Sequence, residues 1–458
     1  MTVIEEVVAK GWCIGCGMCT SVCPKDRLEI LWNDRGEYNP VVVDNAPTCG
    51  ETCSLCYQVC PAHGNTRNET EIGKALYDKV DGIQHTPETG YHLSSYVGYS
   101  KEHRLTSASG GLASWVLESL LESGEVDGVL AVGRTTDSDK LFEFKICSTK
   151  AEVRACGRSA YYPVEVSEVI RHVLKNEGQY AIIGLPCVCK AIRLAQDKLP
   201  KLKKRIKYIL GLTCGHTCSK FFAEYICALG GGNPHNLKEF IFRTKDLKQP
   251  ASNHQMTFCS TEGSEDVLRN ILWNKGVGSA FTNGYFQLPG CFYCDDIFAE
   301  CADAVFMDAW LPEYSKQSEG YTIALTRNSR INALLVFGTE RDFIKSSKLP
   351  IGETITSQLS IIECKRCRTI NLKGDPKQRT ELFKHPTITQ RLQAVRLRSY
   401  AQTSVAKWKI SKMQLRKFRT LIHPLHKKMI FISMIQRTLS LPNNTVERVV
   451  NLLKGDLP

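Results

Sequence analysis

Eight cysteines lie between positions 13 and 60, in two groups of four. The first group reads Cys13-x2-Cys16-x2-Cys19-x3-Cys23-Pro24. The second reads Cys49-x3-Cys53-x2-Cys56-x3-Cys60-Pro61. Three closely spaced cysteines on one tight loop supply three corners of a thiolate cage. A fourth, followed by proline, reaches across to a neighbouring cage, and this is the ligand pattern of paired 4Fe–4S cubanes. Gly15 and Gly17 suit such a loop, because glycine admits positive φ and a close backbone approach. The expected assignment is Cys13, Cys16, Cys19 and Cys60 on one cluster, and Cys23, Cys49, Cys53 and Cys56 on the other. The second group has x3 after its first cysteine where the usual spacing is x2, which leaves the role of Cys49 open. Zinc is the competing reading, but its sites favour two separated C-x2-C pairs. Disulfides need an oxidising compartment. The first residues, MTVIEEVVAKGWC, show no basic region followed by an apolar one, so a cytoplasmic location is expected.

The chain has 458 residues, enough for two to four domains at about 100–200 residues each. Its 43% apolar and 23% charged content allows a large buried core. The net charge of +12 is concentrated at one end. Residues 376–458 hold 17 Lys or Arg against 3 Asp or Glu, a balance of +14, which leaves residues 1–375 at −2. No run of about 18 apolar residues exists; the best candidate, MIFISMI at 429–435, is too short to span a bilayer.

Four regions are expected: a two-cluster domain over 1–65, a polar linker over 66–95 with room for one helix, a core over 96–375, and a basic helical extension over 376–458. In the core, VDGVLAVG (126–133), YAIIGLP (180–186) and IKYILGLTC (206–214) are short apolar runs, as buried strands are. GGLASWVLESLLESG (110–124) has helical spacing and ends at Gly124, a suitable C-terminal cap. The alternation predicts an α/β core, α+β for the whole chain. The extension reads as helices broken at Pro386, Pro424 and Pro442.

The core also carries four short motifs in a fixed order. Thr106-Ser-Ala-Ser-Gly-Gly111 opens a helix. Gly157-Arg-Ser159-Ala-Tyr161 is expected after a strand. Gly184-Leu-Pro186-Cys187 ends a strand. Cys291-Phe-Tyr-Cys294-Asp precedes Ala302-Asp303 and Asp308-Ala-Trp310. Behind a two-cluster segment, this order resembles the coenzyme F420 hydrogenase/dehydrogenase beta-subunit family over about residues 10–330. The resemblance implies FAD in the α/β core, contacted by Ser109, Gly110 and Gly111, with Ser159 and Tyr161 matching a Ser-x-Tyr of the family. On residues alone, SASGG is equally a phosphate cradle at a helix N-terminus or a capped glycine turn. The resemblance also implies a third cluster on Cys187, Cys214, Cys291 and Cys294, with Cys189 and Cys218 as nearby alternatives. Cys147, Cys156, Cys227, Cys259 and Cys301 read as solitary core thiols. Cys364-x2-Cys367 reads as a further metal pair or an exposed reduced pair. His103 and His216 are candidate proton donors.

The resulting expectation is an iron–sulfur flavoprotein that takes electrons from ferredoxin or another redox protein, passes them through clusters to FAD, and delivers them to a small organic acceptor. The rival is an electron-transfer subunit with no substrate of its own. The basic extension, with Trp408, Phe418 and Phe431, has the composition of an interfacial helix that would attach to an anionic membrane surface. Helices packed on the core with a solvated basic face are the favoured reading, ahead of membrane attachment, and a nucleic-acid contact is the least favoured.

Overall fold

The computed structural model describes residues 2–45, 49, 53–137, 139–368 and 387–438. Its centre is an eight-stranded sheet. Four strands run parallel side by side: Ala304–Asp308, Ile206–Leu212, Tyr180–Gly184 and Gly128–Arg134. Antiparallel strands close both sides. Thr322–Thr326, Ser94–Ser100 and Ile344–Lys348 extend one edge, and Phe142–Cys147 forms the other. The apolar runs read from sequence supply three of the four parallel strands; Ala304–Asp308 is not among them.

Side chains alternate across the strands, and both faces are covered. Leu130, Ile182, Ile209, Val305 and Ile323 enter one core. Their neighbours Val129, Ala181, Leu210, Ala304 and Ala324 enter another, under the helices Leu112–Glu122 and Ser329–Glu340. Gly124 follows the first of these helices with φ +70°, as a C-terminal cap requires. A three-stranded antiparallel sheet, Leu237–Thr244, Gln255–Glu262 and Glu265–Leu272, forms a separate layer. Phe240, Phe242, Met256 and Phe258 fill its buried face.

The cysteine-rich segment folds as a hairpin, Leu28–Trp32 with Tyr38–Val42, and two short helices, Met18–Ser21 and Leu55–Gln58. It docks directly on the core. Met18, Val22 and Val59 share the core of the large sheet. The Val166 N–H donates to the Cys16 carbonyl at 2.9 Å, and Arg171 donates to the Thr20 carbonyl at 3.0 Å.

Residues 66–95 are more than a connector. Asn68 and Glu71 form a capping box for the helix Glu69–Tyr77, and a hairpin pairs Gln84–Thr86 with Gly90–His92. Ile72 is fully buried, and the buried Arg327 donates to the Thr89 and Tyr91 carbonyls.

The extension contains two helices, Ile388–Ile410 and Leu415–Thr438. Pro424 does not break the second. Phe418, Ile422, Met429 and Ile432 recur on one buried face while Pro424 faces solvent, so packing offsets the missing backbone bond. Trp408 and Phe418 are buried against Tyr225 and Phe286, as helices packed on the core require and a membrane-facing aromatic side would not allow, and the Trp408 indole N–H donates to Glu224 at 3.1 Å. Lys409, Lys412, Arg416, Lys417, Arg419, Lys427 and Lys428 remain on the exposed side. Pro386 and Pro442 lie outside the described residues, as does the Phe431 side chain. No helix among the described residues is long and apolar enough to cross a membrane.

Candidate functional site: thiol cages beside a cavity

Three groups of thiols converge. In the first, Gly15 and Gly17 adopt φ of +67° and +79°, and each lies against protein where a side chain would collide. The turn this creates brings Cys13, Cys16 and Cys19 to the wall of one small cavity, and Cys60 completes it. Burial raises the Cys16 pKa, and the neighbouring Cys60 and Cys13 raise it further. Cys19 is raised by burial and by Cys16, Cys60 and Cys13. Four neighbouring thiols, three of them buried, that oppose one another's ionisation are a poor apo arrangement. A cation that accepts thiolates resolves it.

The second group gathers around Cys56. Burial raises its pKa, a Val3 backbone N–H lowers it, and Cys23, Cys49 and Cys53 raise it again. Cys49 and Cys53 are exposed, so this group faces solvent.

The third group lies where the parallel strands end. Cys187 is in the first turn of the helix Pro186–Lys198, immediately after the strand Tyr180–Gly184. Cys214 follows the strand Ile206–Leu212. Cys291 lies within a 3-10 turn, Pro289–Tyr293, and Cys294 caps its C-terminal end. Burial raises the Cys187 pKa, followed by Cys294, Cys214 and Cys291, and then by Cys16 of the first group. Cys189 and Cys218 do not join. The Cys189 thiol donates to the Gly184 and Leu210 carbonyls, and the Cys218 thiol donates to the Tyr285 carbonyl.

One buried cation serves the third group. Lys365, on the helix Leu359–Arg368, donates from Nζ to the Cys214 carbonyl at 2.9 Å and the Asp296 carbonyl at 2.5 Å. Burial opposes its charge, but Cys294, Cys214 and Cys291 raise its pKa overall. Cys364 is partly buried beside Phe292 and Leu397, and the Cys367 side chain lies outside the described residues.

Beside the third group is a cavity of about 550 Å³ at the carboxyl ends of the parallel strands, where open α/β sheets bind ligands. Ser109 and Gly111 border it on one side, and Arg158, Ser159 and Tyr161 on another. Leu185 and Thr213 also line it, so cavity and third thiol group share a wall. The Gly157–Tyr161 motif follows a helix, Lys150–Ala155, rather than the expected strand. Gly110 is not among the lining residues. A side chain there would strike the Gly98 carbonyl, and at Gly111, with φ +84°, it would strike His103. Strand and helix packing therefore accounts for both glycines.

The small antiparallel sheet contributes what the sequence did not announce. Arg243 sits at a β-bulge with φ +60° and pairs bidentately with Asp308, at 2.5 and 2.8 Å. Burial raises the carboxyl pKa of Asp308, but Arg243 outweighs it and holds the group below its usual range. Arg243 Nε, Arg158 Nη1, Thr213 Oγ1 and His254 Nε2 are buried, border the cavity and have no hydrogen-bond partner among the described residues. Orphaned buried polar atoms are costly and point to a polar ligand. Burial and then Arg243 push the His254 pKa down to about 3, so its imidazole is neutral.

Residues 12–63 match the model of a 4Fe-4S dicluster domain. Residues 95–171 match the N-terminal domain of the coenzyme F420 hydrogenase/dehydrogenase beta subunit, and residues 177–350 match its C-terminal domain. The chain belongs to this beta-subunit family. Two relatives are a coenzyme F420-dependent sulfite reductase of Methanocaldococcus jannaschii and an F(420)H(2) dehydrogenase subunit of Methanosarcina mazei. The first is 22% identical over 66% of this chain and 42% of its own length. The second is 25% identical over 46% and 55%. The chain thus spans about half the length of these relatives. A chain of the F420-reducing [NiFe] hydrogenase complex from Methanosarcina barkeri superposes with a TM-score of 0.46 at 16% identity, covering 62% of this chain and 93% of its own. The family member described here is an iron–sulfur redox protein.

The two candidate histidines differ in placement, and one expectation about the cysteines needs correction. His103 is held by Ser100 at 2.7 Å and Glu118 at 2.7 Å, away from the cavity lining, whereas His216 stacks at 4.1 Å on Phe281, which lines it. Cys147 and Cys156 are not solitary: their sulfurs are 3.7 Å apart. Cys227 and Cys301 are buried, and Cys259 is half-buried on a strand.

Proposed function

We propose that this chain carries electrons through three 4Fe–4S clusters to FAD, and from FAD to an organic two-electron acceptor. Cys13, Cys16, Cys19 and Cys60 hold the first cluster. Cys23, Cys49, Cys53 and Cys56 hold the second, and Cys187, Cys214, Cys291 and Cys294 hold the third. FAD occupies the cavity between Ser109, Ser159 and Tyr161 on one side and Arg243 and His254 on the other. The carrying observation is the wall shared by the third thiol group and a cavity with four unpartnered buried polar atoms.

Clusters exchange single electrons, and a flavin joins two of them for hydride-type chemistry. The protein's own residues do the positioning. Arg158 and Arg243 offer cationic N–H donors to an anionic group. Asp308 fixes the Arg243 guanidinium in place. Neutral His254 offers a ring nitrogen, with its other nitrogen bonded to the Ala251 carbonyl at 3.3 Å. Both relatives carry coenzyme F420 in their names, which makes it the first acceptor to assay.

Anaerobic purification with iron, sulfide and flavin quantification tests this. About 12 irons and one flavin per chain are expected. Zinc in place of iron would end the redox reading, and iron without flavin would end the FAD assignment. The second relative is named as a dehydrogenase subunit, which supports a second reading, an electron-transfer subunit. Acceptor reduction by the isolated chain with a chemical reductant supports the first; no turnover until a partner is added supports the second.

A further inference from the structure

Cys147 ends the edge strand Phe142–Cys147, and Cys156 caps the helix Lys150–Ala155 that follows it. The connection folds back on itself and brings the two sulfurs to 3.7 Å, within thiol hydrogen-bond range and short of a disulfide bond. Gly133 on the adjacent strand leaves the space, since a side chain there would meet the Cys156 sulfur at 2.8 Å. The two thiols differ. Cys147 is 1% exposed, whereas Cys156 is half-buried. The hydrogen bond from Cys147 lowers the Cys156 pKa, and Lys145 adds to it, while the Cys147 pKa is raised.

Both cysteines line a cleft of about 1280 Å³ bordered by Arg134, Lys140, Lys145 and Glu239, with Cys156 the more exposed of the two. Cys156 and Tyr162 also line the inner cavity described above. They form a partition between an outside cleft and an inside one.

We propose that Cys147 and Cys156 are a redox-active dithiol that reduces a small disulfide bound in the outer cleft. The Cys156 thiolate attacks one sulfur of the disulfide RS–SR. That bond breaks, RS⁻ leaves and takes a proton, and a mixed disulfide remains on Cys156. Cys147 loses its proton and attacks the Cys156 sulfur, and the second RS⁻ leaves and is protonated. Two thiols and one disulfide become one intramolecular disulfide and two RSH. Returning the pair to the dithiol takes two electrons and two protons. A reduced flavin in the inner cavity, beside Cys156, supplies them, and this last step alone rests on the flavin assignment.

The test uses full-length protein, purified anaerobically and equilibrated with mixtures of reduced and oxidised glutathione. Samples are acid-quenched, unfolded, alkylated and mapped by peptide mass spectrometry. The expected result is that Cys147 and Cys156 lose alkylation together along a two-electron curve, with a linked peptide appearing. Cys147→Ser is expected to trap glutathione on Cys156, and Cys156→Ser to lose that incorporation. Persistence of both alkylated thiols in fully oxidised glutathione overturns the proposal. So does glutathione on Cys156 of the wild-type chain while Cys147 stays alkylatable. The wild-type titration decides even where a variant fails to fold. Exchange with glutathione needs no flavin, so flavin content in the same preparation judges the cofactor reading separately.

Discussion

Arg243 illustrates how much of this site depends on one residue in an uncommon conformation. A non-glycine residue at φ +60° is strained, and such strain persists where surrounding contacts determine it. Here the contact is the bidentate pair with Asp308. Asp308→Asn leaves a buried guanidinium without its counter-charge, which costs about 3–5 kcal/mol. Chemical denaturation should show a loss of that order, and the variant should copurify with less flavin. His254 supplies a pH signature. Its pKa is about 3 in the folded chain against 6.5 when free. Between those values the unfolded chain binds a proton that the folded chain refuses, so stability falls as pH drops through this window. His254→Gln should flatten that part of the melting-temperature profile; an unchanged acid slope would assign it to other groups. The sequence offered Asp308 only as part of a short motif, Asp308-Ala-Trp310, with no role attached. Nothing in it disclosed Arg243 or His254, which reach the cavity only because a separate sheet folds across it. Lys365 was equally hidden, since a lysine among basic residues reads as solvated.

At the scale of elements, three of the four central strands were legible because burial on both faces makes them continuous apolar runs, while Ala304–Asp308 was not read as one. The edge strands were not: Ile344–Lys348 reads IKSSK, with one buried residue. The paired extension helices combine both cases. Their basic and aromatic residues gave the composition of a membrane-surface helix, and only tertiary contacts show the aromatic side turned inward. Ala394, Leu397, Tyr400, Ala401, Ser404, Val405 and Trp408 form an unbroken buried stripe. Trp408→Ala should therefore destabilise the protein by about 3–5 kcal/mol. Limited proteolysis should find new cuts in 388–438. If the variant melts like the parent and resists protease equally, the helices contribute little to the fold.

For the whole molecule, the cysteine ladder was the clearest signal in the sequence, because cubane ligation demands a spacing that few other structures use. The register between the ladder and the core was not readable, since it depends on contacts over long sequence separations. Gly290 packs so closely on the carbonyls of Trp12 and Cys13 that a side chain would not fit, and the Trp12 and Tyr293 rings lie 5.6 Å apart. The turn holding Cys291 and Cys294 is thereby seated against the first cysteine loop, and Cys187 is near enough to feel Cys16. Under the proposed assignment, the third cluster is the step between the ladder and the cavity. Cys291→Ser with Cys294→Ser should lower iron from about 12 to about 8 per chain while the eight ladder cysteines keep theirs. Stopped-flow measurements would separate the routes. Reduced ferredoxin, which enters at the exposed second group, should reduce the flavin at least about tenfold more slowly in this variant, a barrier increase of about 1.4 kcal/mol. A small chemical reductant that reaches the cavity directly should be unaffected. Equal ferredoxin rates in parent and variant would mean that electrons bypass the third group.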